Sequence, residues 1–356
     1  MPAHIAVIGA GLIGRQHIAR LLAHERVDRV TVIDPVLASG AAVPPELEGA
    51  HLGDPERVYA EADGVIIATP NVLHTDVALR AVAAGTPALV EKPLADTEEE
   101  ALRIIEAADR AGVPILVGHH RRYSGVLRTA RQIVESGELG PLVAVTGSAL
   151  FSKPASYFEE APWRREEGGG PLLINLVHDV DAMRYLAGEV VRVRCVASSQ
   201  ARGFEVEDTA ALTLEFASGA LGTFILSDAA SSFRSWEQTS GENPSYDRAE
   251  DEDCYHLAGR LGSLSVPTLR RSRAVGEASW WRQAERDVVP FAAVDPLTEQ
   301  LNHFLDVVDG AAAPLVTARD GLQSLRLVLA ARRSAAAGGA PITVPAPPAL
   351  TASTAP

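Results

Sequence analysis

The sequence predicts two architectures in series: an α/β doubly wound parallel sheet, then an α+β domain built on a large, mainly antiparallel open sheet. Three observations carry this reading. A length of 356 residues allows two domains at about 150 residues each. The first third alternates short apolar, β-branched runs with amphipathic stretches. From about Pro141 onward, strand-like segments follow one another with few helices between them.

Taken in order, His4 to Ile8 is the first strand, and Gly9-Ala-Gly-Leu-Ile-Gly14 follows it at once. An amphipathic stretch from about Arg15 to His24 leads to a second strand, Arg29 to Asp34. Val65 to Ala68 is a third strand, ended by Thr69-Pro70-Asn71, and a helix from His74 to Ala84 stops at Gly85. Ala88 to Val90, ended by Glu91-Lys92-Pro93, is a fourth strand; Glu98 to Ala111 is a helix and Pro114 to Val117 a fifth strand. Short buried strands separated by helices imply parallel neighbours, which need crossover connections. In the second half, Leu142 to Ser152, Val190 to Gln200, Thr209 to Phe216, Ala220 to Ser227 and Cys254 to Leu257 have strand composition, with a hairpin at Ser218-Gly219. Helices are expected from Pro171 to Leu186, Pro296 to Val308 and Asp320 to Ala337, and the acidic stretch Ser240 to Asp253 reads as a loop. The expected domains are residues 1–121 and 122–340, with an Ala/Pro/Thr-rich, disordered tail at 341–356.

Composition narrows the function. A hydrophobic fraction of 47% argues against wholesale disorder, and a net charge of −14 argues against nucleic acid or an anionic membrane as partner. No apolar run reaches the roughly 18 residues of a membrane span. The opening MPAHIAVIGAG enters a strand directly, so neither a signal nor a transit peptide is expected, and the reading is cytoplasmic. Cys195 and Cys254 lack zinc or redox spacing. His119 and His120 would point apart on a strand, so no metal site is expected.

The glycine cluster carries the first chemistry. Gly9 allows a tight turn, Gly11 admits a pyrophosphate to the backbone, and Gly14 lets the helix sit close to the strand. Leu12 and Ile13 open that helix, whose free N–H groups face an anion. Asp34 ends the second strand about twenty residues on, where a carboxylate accepts from ribose hydroxyls and repels a 2′-phosphate. The expectation is a Rossmann domain that binds NAD in preference to NADP.

Beyond that loop, an ordered series of motifs resembles the Gfo/Idh/MocA family of NAD(P)-dependent oxidoreductases. AVIGAGLIG opens the series, followed by IIATPNVLH (Ile66 to His74), EKP (Glu91 to Pro93) and GHHRRY (Gly118 to Tyr123). GGGPLLINLVHDVDAMRYLAGE (Gly168 to Glu189) and DPLTEQLNHF (Asp295 to Phe304) complete it. The resemblance implies hydride transfer between a substrate CH–OH carbon and the nicotinamide. Lys92 would hold the reacting oxygen and exchange a proton, with His178 as its acid/base partner. Glu91, Lys92, Thr69, Pro70, Asn71 and His74 would line the cofactor site. Asp181, one turn after His178, is placed to orient the imidazole.

One departure matters. Many members carry an Asp four residues before the helix His, and Ile174 stands there in this chain, followed by Asn175. Ile neither accepts a proton nor a hydrogen bond, so Asn175 becomes the candidate substrate contact and Lys92 and His178 share the proton work. Arg121, Arg122, Tyr123, Lys153, Tyr157, Trp163, Arg164 and Arg165 add cations and aromatics near it. Of these, Arg121, Tyr123, Lys153, Trp163 and Arg164 are candidate substrate contacts, and such basicity suits an acidic ligand. The segment Ser235 to Asn243 is a further candidate for a substrate-facing loop. The expected function is oxidation of a secondary hydroxyl on a sugar, cyclitol or related cyclic polyol. Two alternatives stay open: a dehydrogenase of a carboxylated cyclic cis-dihydrodiol, and a non-catalytic NAD(H)-binding regulator. The resemblance also implies a homodimer or homotetramer formed on the open sheet face.

Overall fold

The computed structural model describes residues 2–40 and 42–347. They form two units, one from the chain up to His120 together with Leu297–Leu325, the other from Arg121–Pro296 and Arg326–Ala346.

The first unit holds a six-stranded sheet of β1 (Ala3–Ile8), β2 (Val27–Ile33), β3 (His51–Leu52), β4 (Gly64–Ile67), β5 (Ala88–Val90) and β6 (Ile115–Val117). Its order is β3-β2-β1-β4-β5-β6, and every pairing is parallel. The doubly wound arrangement read from the sequence is therefore the observed one. The helices that cross between strands end as their sequences dictate. Thr97 accepts from the Glu100 N–H at 3.2 Å to cap helix Glu98–Ala111, and Gly112 closes it at φ 66°. The first helix starts at Leu12, three residues earlier than the amphipathic pattern suggested, with Gly11 as its N-cap and Gly14 inside its first turn.

Helix Pro296–Val308 corrects the expected boundaries. Its stripe of Leu301, Phe304, Leu305 and Val307 belongs to the same buried cluster as Ile5, Val7, Ile66 and Leu89. A Cβ on Gly64 would lie 2.9 Å from Phe304 and 2.7 Å from Val308, so glycine at the start of β4 makes room for this helix. A contiguous domain from 122 to 340 is thus replaced by one whose neighbour takes back a distant helix.

The second unit is built on nine strands: β7 (Leu142–Leu150), β8 (Val190–Ser198), β9 (Thr209–Phe216), β10 (Leu221–Ser227), β11 (Tyr255–Gly259), β12 (Gly262–Val266), β13 (Arg270–Ala274), β14 (Ala284–Val288) and β15 (Ile342–Thr343). The order is β14-β13-β12-β11-β7-β10-β9-β8-β15, and the β10–β7 pair runs parallel within an otherwise antiparallel set. Side chains alternate in and out along β9 and β10, as a sheet with one covered face requires. The inward set joins Leu127, Leu176, Val180, Met183 and Leu327 in one core. The outward set exposes Val143, Val196, Leu221 and Ile225, beside a groove of about 620 Å³ bordered by Thr146, Thr213 and Thr223.

Three further differences are informative. The expected helix Pro171 to Leu186 is two helices, Pro171–Ile174 and Leu176–Ala187, broken at Asn175. Helix Gly125–Glu135, started by the Ser124 hydroxyl accepting from the Leu127 N–H at 3.2 Å, was not anticipated. The C-terminal segment is ordered further than expected: Ile342 pairs with Val193, and Arg326 donates to the Ala346 carbonyl at 2.8 Å. The expected disorder of 348–356 lies outside the described residues.

Candidate active site

In the first unit the chemistry gathers at the carboxyl ends of the parallel strands, where the order reverses between β1 and β4. Gly9 has φ +100°, and a Cβ there would lie 2.5 Å from the Ala68 carbonyl oxygen. A Cβ on Gly14 would lie 2.1 Å from the Gly9 carbonyl oxygen, whereas one on Gly11 meets nothing within 4 Å. The first and third glycines are thus required by the fold, and the second leaves open space for a ligand. Gly11 offers no side-chain cap to the helix behind it, so that N-terminus stays available to a pyrophosphate.

Asp34 is anchored at this edge. One carboxylate oxygen accepts from the Ala10 N–H at 2.9 Å, and the other from Val36 and Leu37 N–H groups at 2.9 and 3.2 Å. It therefore ties the glycine loop to β2 while keeping lone pairs for a ribose. Leu12, Val36, Val72 and Leu73 stand exposed at the same strand ends, an apolar surround suited to a nucleobase. Their signal in the sequence was weak, since single exposed apolar residues are common. Ile13, Thr69 and Asn71 are partly exposed there and Pro70 is exposed.

His74 departs from expectation. It is buried, with Nδ1 2.8 Å from the Pro93 carbonyl and Nε2 3.0 Å from that of Thr69. Burial lowers its pKa, against the pull of those carbonyls. The ring braces two loops against each other. Glu91 is likewise buried, its carboxylate 2.8 Å from His17 Nε2 and accepting from the Lys92 N–H at 3.3 Å. Burial pushes the carboxyl pKa up, but His17, Lys92 and His120 outweigh it and hold the group below its ordinary value. Gly118 is glycine because a Cβ would lie 2.8 Å from this carboxylate. His17 was missed in the sequence; its place one turn after Gly14 was the available signal. Lys92 follows β5 and is partly exposed.

In the second unit, Arg121 and Arg122 meet the acids of helix Leu176–Ala187. Arg121 donates to Asp179 at 2.9 Å and to Glu237 at 3.0 Å, while the Tyr255 hydroxyl donates to Asp179 at 2.5 Å. Burial opposes the arginine's charge, but Asp179, Tyr255 and Glu237 outweigh it and raise the pKa. Burial also pushes the Asp179 carboxyl up, against Arg121 and the Tyr255 hydroxyl. Arg122 grips Asp181 through Nε at 2.8 Å and Nη2 at 2.7 Å. Asp181 is thus the carboxylate that pairs with Arg122. Arg121 and Tyr123 are both buried, and these positions make them supports of the site instead of its ligand-facing surface. Trp236 is buried and stacked near Tyr255, with its indole N–H donated to Glu242 at 3.0 Å; the Ser235 to Asn243 segment is anchored by it.

Asn175, at the helix break, and His178 are both partly exposed. The His178 N–H donates to the Asn175 carbonyl at 3.2 Å. Lys153 Nζ lies 2.8 Å from Asn175 Oδ1 and 3.2 Å from Asp228, and sits 4.8 Å from the Tyr157 ring centroid. Burial lowers the Lys153 pKa, against the pull of Asp228. Arg164 stacks 3.8 Å from the Tyr157 centroid, and Trp163 beside it is exposed. A Cβ on Gly169 would lie 2.5 Å from Arg164 Cα, so the glycine run seats this turn against the strand of chain leading to Asn175.

A dinucleotide-binding parallel sheet followed by a mainly antiparallel α+β unit defines a two-domain oxidoreductase. Residues 3–119 match the oxidoreductase family's NAD-binding Rossmann fold, and residues 127–265 match the GFO/IDH/MocA C-terminal domain; the chain belongs to the GFO/IDH/MocA family. It is 31% identical to inositol 2-dehydrogenase 2 of Saccharopolyspora erythraea over 98% of both chains. It is 27% identical to 1,5-anhydro-D-fructose reductase of Ensifer adhaerens, over 94% of this chain and 96% of that one. Among solved structures, the WlbA dehydrogenase of Bordetella pertussis in complex with NADH and UDP-GlcNAcA superposes with a TM-score of 0.75 at 25% identity, covering 97% of this chain and all (100%) of that one.

Proposed function

We propose that this oxidoreductase is an NAD-dependent dehydrogenase of a secondary hydroxyl on a sugar, cyclitol or related cyclic polyol, working in either direction. The observation that carries the reading is Lys92. An ammonium at the carboxyl end of a nucleotide-binding sheet, with its backbone braced by a buried Glu91–His17 pair, fits the task of holding a reacting oxygen. The full-length similarity to inositol 2-dehydrogenase 2 supports the substrate class.

When bound, the nicotinamide supplies the hydride acceptor. In its neutral amine form Lys92 accepts the hydroxyl's hydrogen bond and takes its proton as the C–H bond breaks, becoming the ammonium that holds the carbonyl oxygen of the product. His178 holds the same or the neighbouring hydroxyl and exchanges the proton with solvent. Ile174 contributes no polar atom, so no carboxylate assists them from that position. Asn175 and the Trp163–Arg164 turn bind the rest of the substrate.

The assay is absorbance at 340 nm with NAD and NADP across cyclitols, aldoses, uronic acids and carboxylated cyclic cis-diols. Turnover of a polyol with NAD is expected. NADH binding with no turnover across the panel would favour a cofactor-binding regulator. A second reading, a dehydrogenase of a carboxylated cyclic cis-dihydrodiol, is favoured by the Lys153–Asn175 contact.

Asp34 sets the cofactor preference. Its carboxylate repels a 2′-phosphate, and Asp34→Asn removes the charge and keeps the shape, at the cost of one of the two oxygens that accept backbone N–H groups. The expected result is a fall of about tenfold or more in the NAD-to-NADP ratio of kcat/KM; an unchanged ratio would contradict the role. We also propose a homodimer or homotetramer that covers the exposed face of Val143, Val196, Leu221 and Ile225.

A further inference from the structure

We infer that Asn175 is a specificity-determining residue that presents its amide N–H groups to the substrate, held in that orientation by Lys153 and Asp228, so that the ligand bears a carbonyl or carboxylate oxygen there. This rests on the dehydrogenase reading of the same site and names its substrate class.

The orientation follows from the donor inventory. A lysine ammonium only donates, so the atom 2.8 Å from Lys153 Nζ is the amide oxygen of Asn175. The planar amide then turns Nδ2 to the other side, where it has no partner among the described residues. The ammonium itself is fully engaged: Asn175 Oδ1, Asp228 at 3.2 Å and the face of Tyr157 take its three directions. Its side chain is only 10% exposed and that of Asp228 only 2%, so swinging Lys153 toward a ligand would strip a buried carboxylate of a partner. Lys153 is thus a positioning residue that acts through Asn175, which revises its expected direct contact. The chain has exchanged an acceptor at the usual position for Ile174 and placed a fixed donor one residue later. A hydroxyl oxygen can also accept from that N–H, but a carboxylate oxygen accepts the stronger, charge-assisted bond and offers no competing O–H donor.

Calorimetric titration of the NADH-loaded protein with matched pairs, D-glucuronate against D-glucose and D-galacturonate against D-galactose, tests this. The wild type is expected to bind each uronate at least about tenfold more tightly than its neutral partner. Asn175→Asp keeps the shape and satisfies Lys153, yet turns the exposed atom into an acceptor; the preference should vanish or invert. Lys153→Met frees the amide to rotate and should bring the ratio toward one with NADH affinity unchanged, while Lys153→Arg, still a donor to Oδ1, should retain most of it. Uronates bound no more tightly than neutral sugars, or a preference untouched by Asn175→Asp, overturns the inference. An intact preference beside silence in the 340 nm panel overturns the dehydrogenase reading alone.

Discussion

Replacing Lys92 by Ala is expected to lower kcat by roughly 10²- to 10⁴-fold while NADH affinity stays within about a factor of two. The side chain is proposed to act on the substrate oxygen, not on the dinucleotide phosphates, which the glycine loop would hold. Its backbone is held independently through the Glu91 carboxylate, so truncation at Cβ leaves the turn in place. Lys92→Arg should rescue little, because a guanidinium stays protonated near neutrality and cannot take the hydroxyl proton. Stopped-flow transients and NADH fluorescence titration on the three proteins separate chemistry from binding. Wild-type turnover by Lys92→Ala would remove the lysine from the mechanism.

Arg121→Ala carries the largest expected effect on stability, a loss of about 3–5 kcal/mol, because removing one partner of a buried ion pair strands the other. Asp179 would keep only the Tyr255 hydroxyl of its two strong partners. The pH dependence gives a signature. Burial already pushes the Asp179 carboxyl up, and without Arg121 the opposing charge is gone. The folded-state pKa then lies above the unfolded one, so the folded state binds more protons in that window. Stability of the variant should therefore fall as pH rises from the ordinary carboxylate range toward neutrality, and be fully relieved below it. Urea unfolding at pH 5 and pH 8 measures this. Equal destabilisation at both values would mean the loss is packing against Trp236 and not an orphaned charge.

Much of the fold was legible because it is written in local pattern. The glycine spacing, the alternation of β-branched runs with helices and the two-residue period of β9 and β10 are each short-range signals. What escaped depends on partners far apart in the chain. Helix Pro296–Val308 has the ends its sequence suggested, but only Gly64 and the core around Ile5 show which unit receives it. β13 and β14 lack an apolar alternation; they are held by cross-strand pairs such as Arg271 with Asp287. At the candidate site, the residue types were legible in the sequence and their partners were not. Arg121 and Lys153 both looked like ligand clamps, yet each faces an acid 58 or more residues further on, Asp179 for Arg121 and Asp228 for Lys153. The adjacent arginines Arg121-Arg122 and the spaced acids Asp179 and Asp181 were the available signal for the first of these.

The proposed passage of hydride from a polyol carbon to the nicotinamide can be followed with a C-deuterated polyol that turns over in the 340 nm panel. After oxidation with NAD, the product is isolated and its C4 position read by proton NMR. One deuterium at C4 of the nicotinamide, delivered to a single face, is expected. Unlabelled C4 in NADH formed from the deuterated substrate would contradict direct hydride transfer.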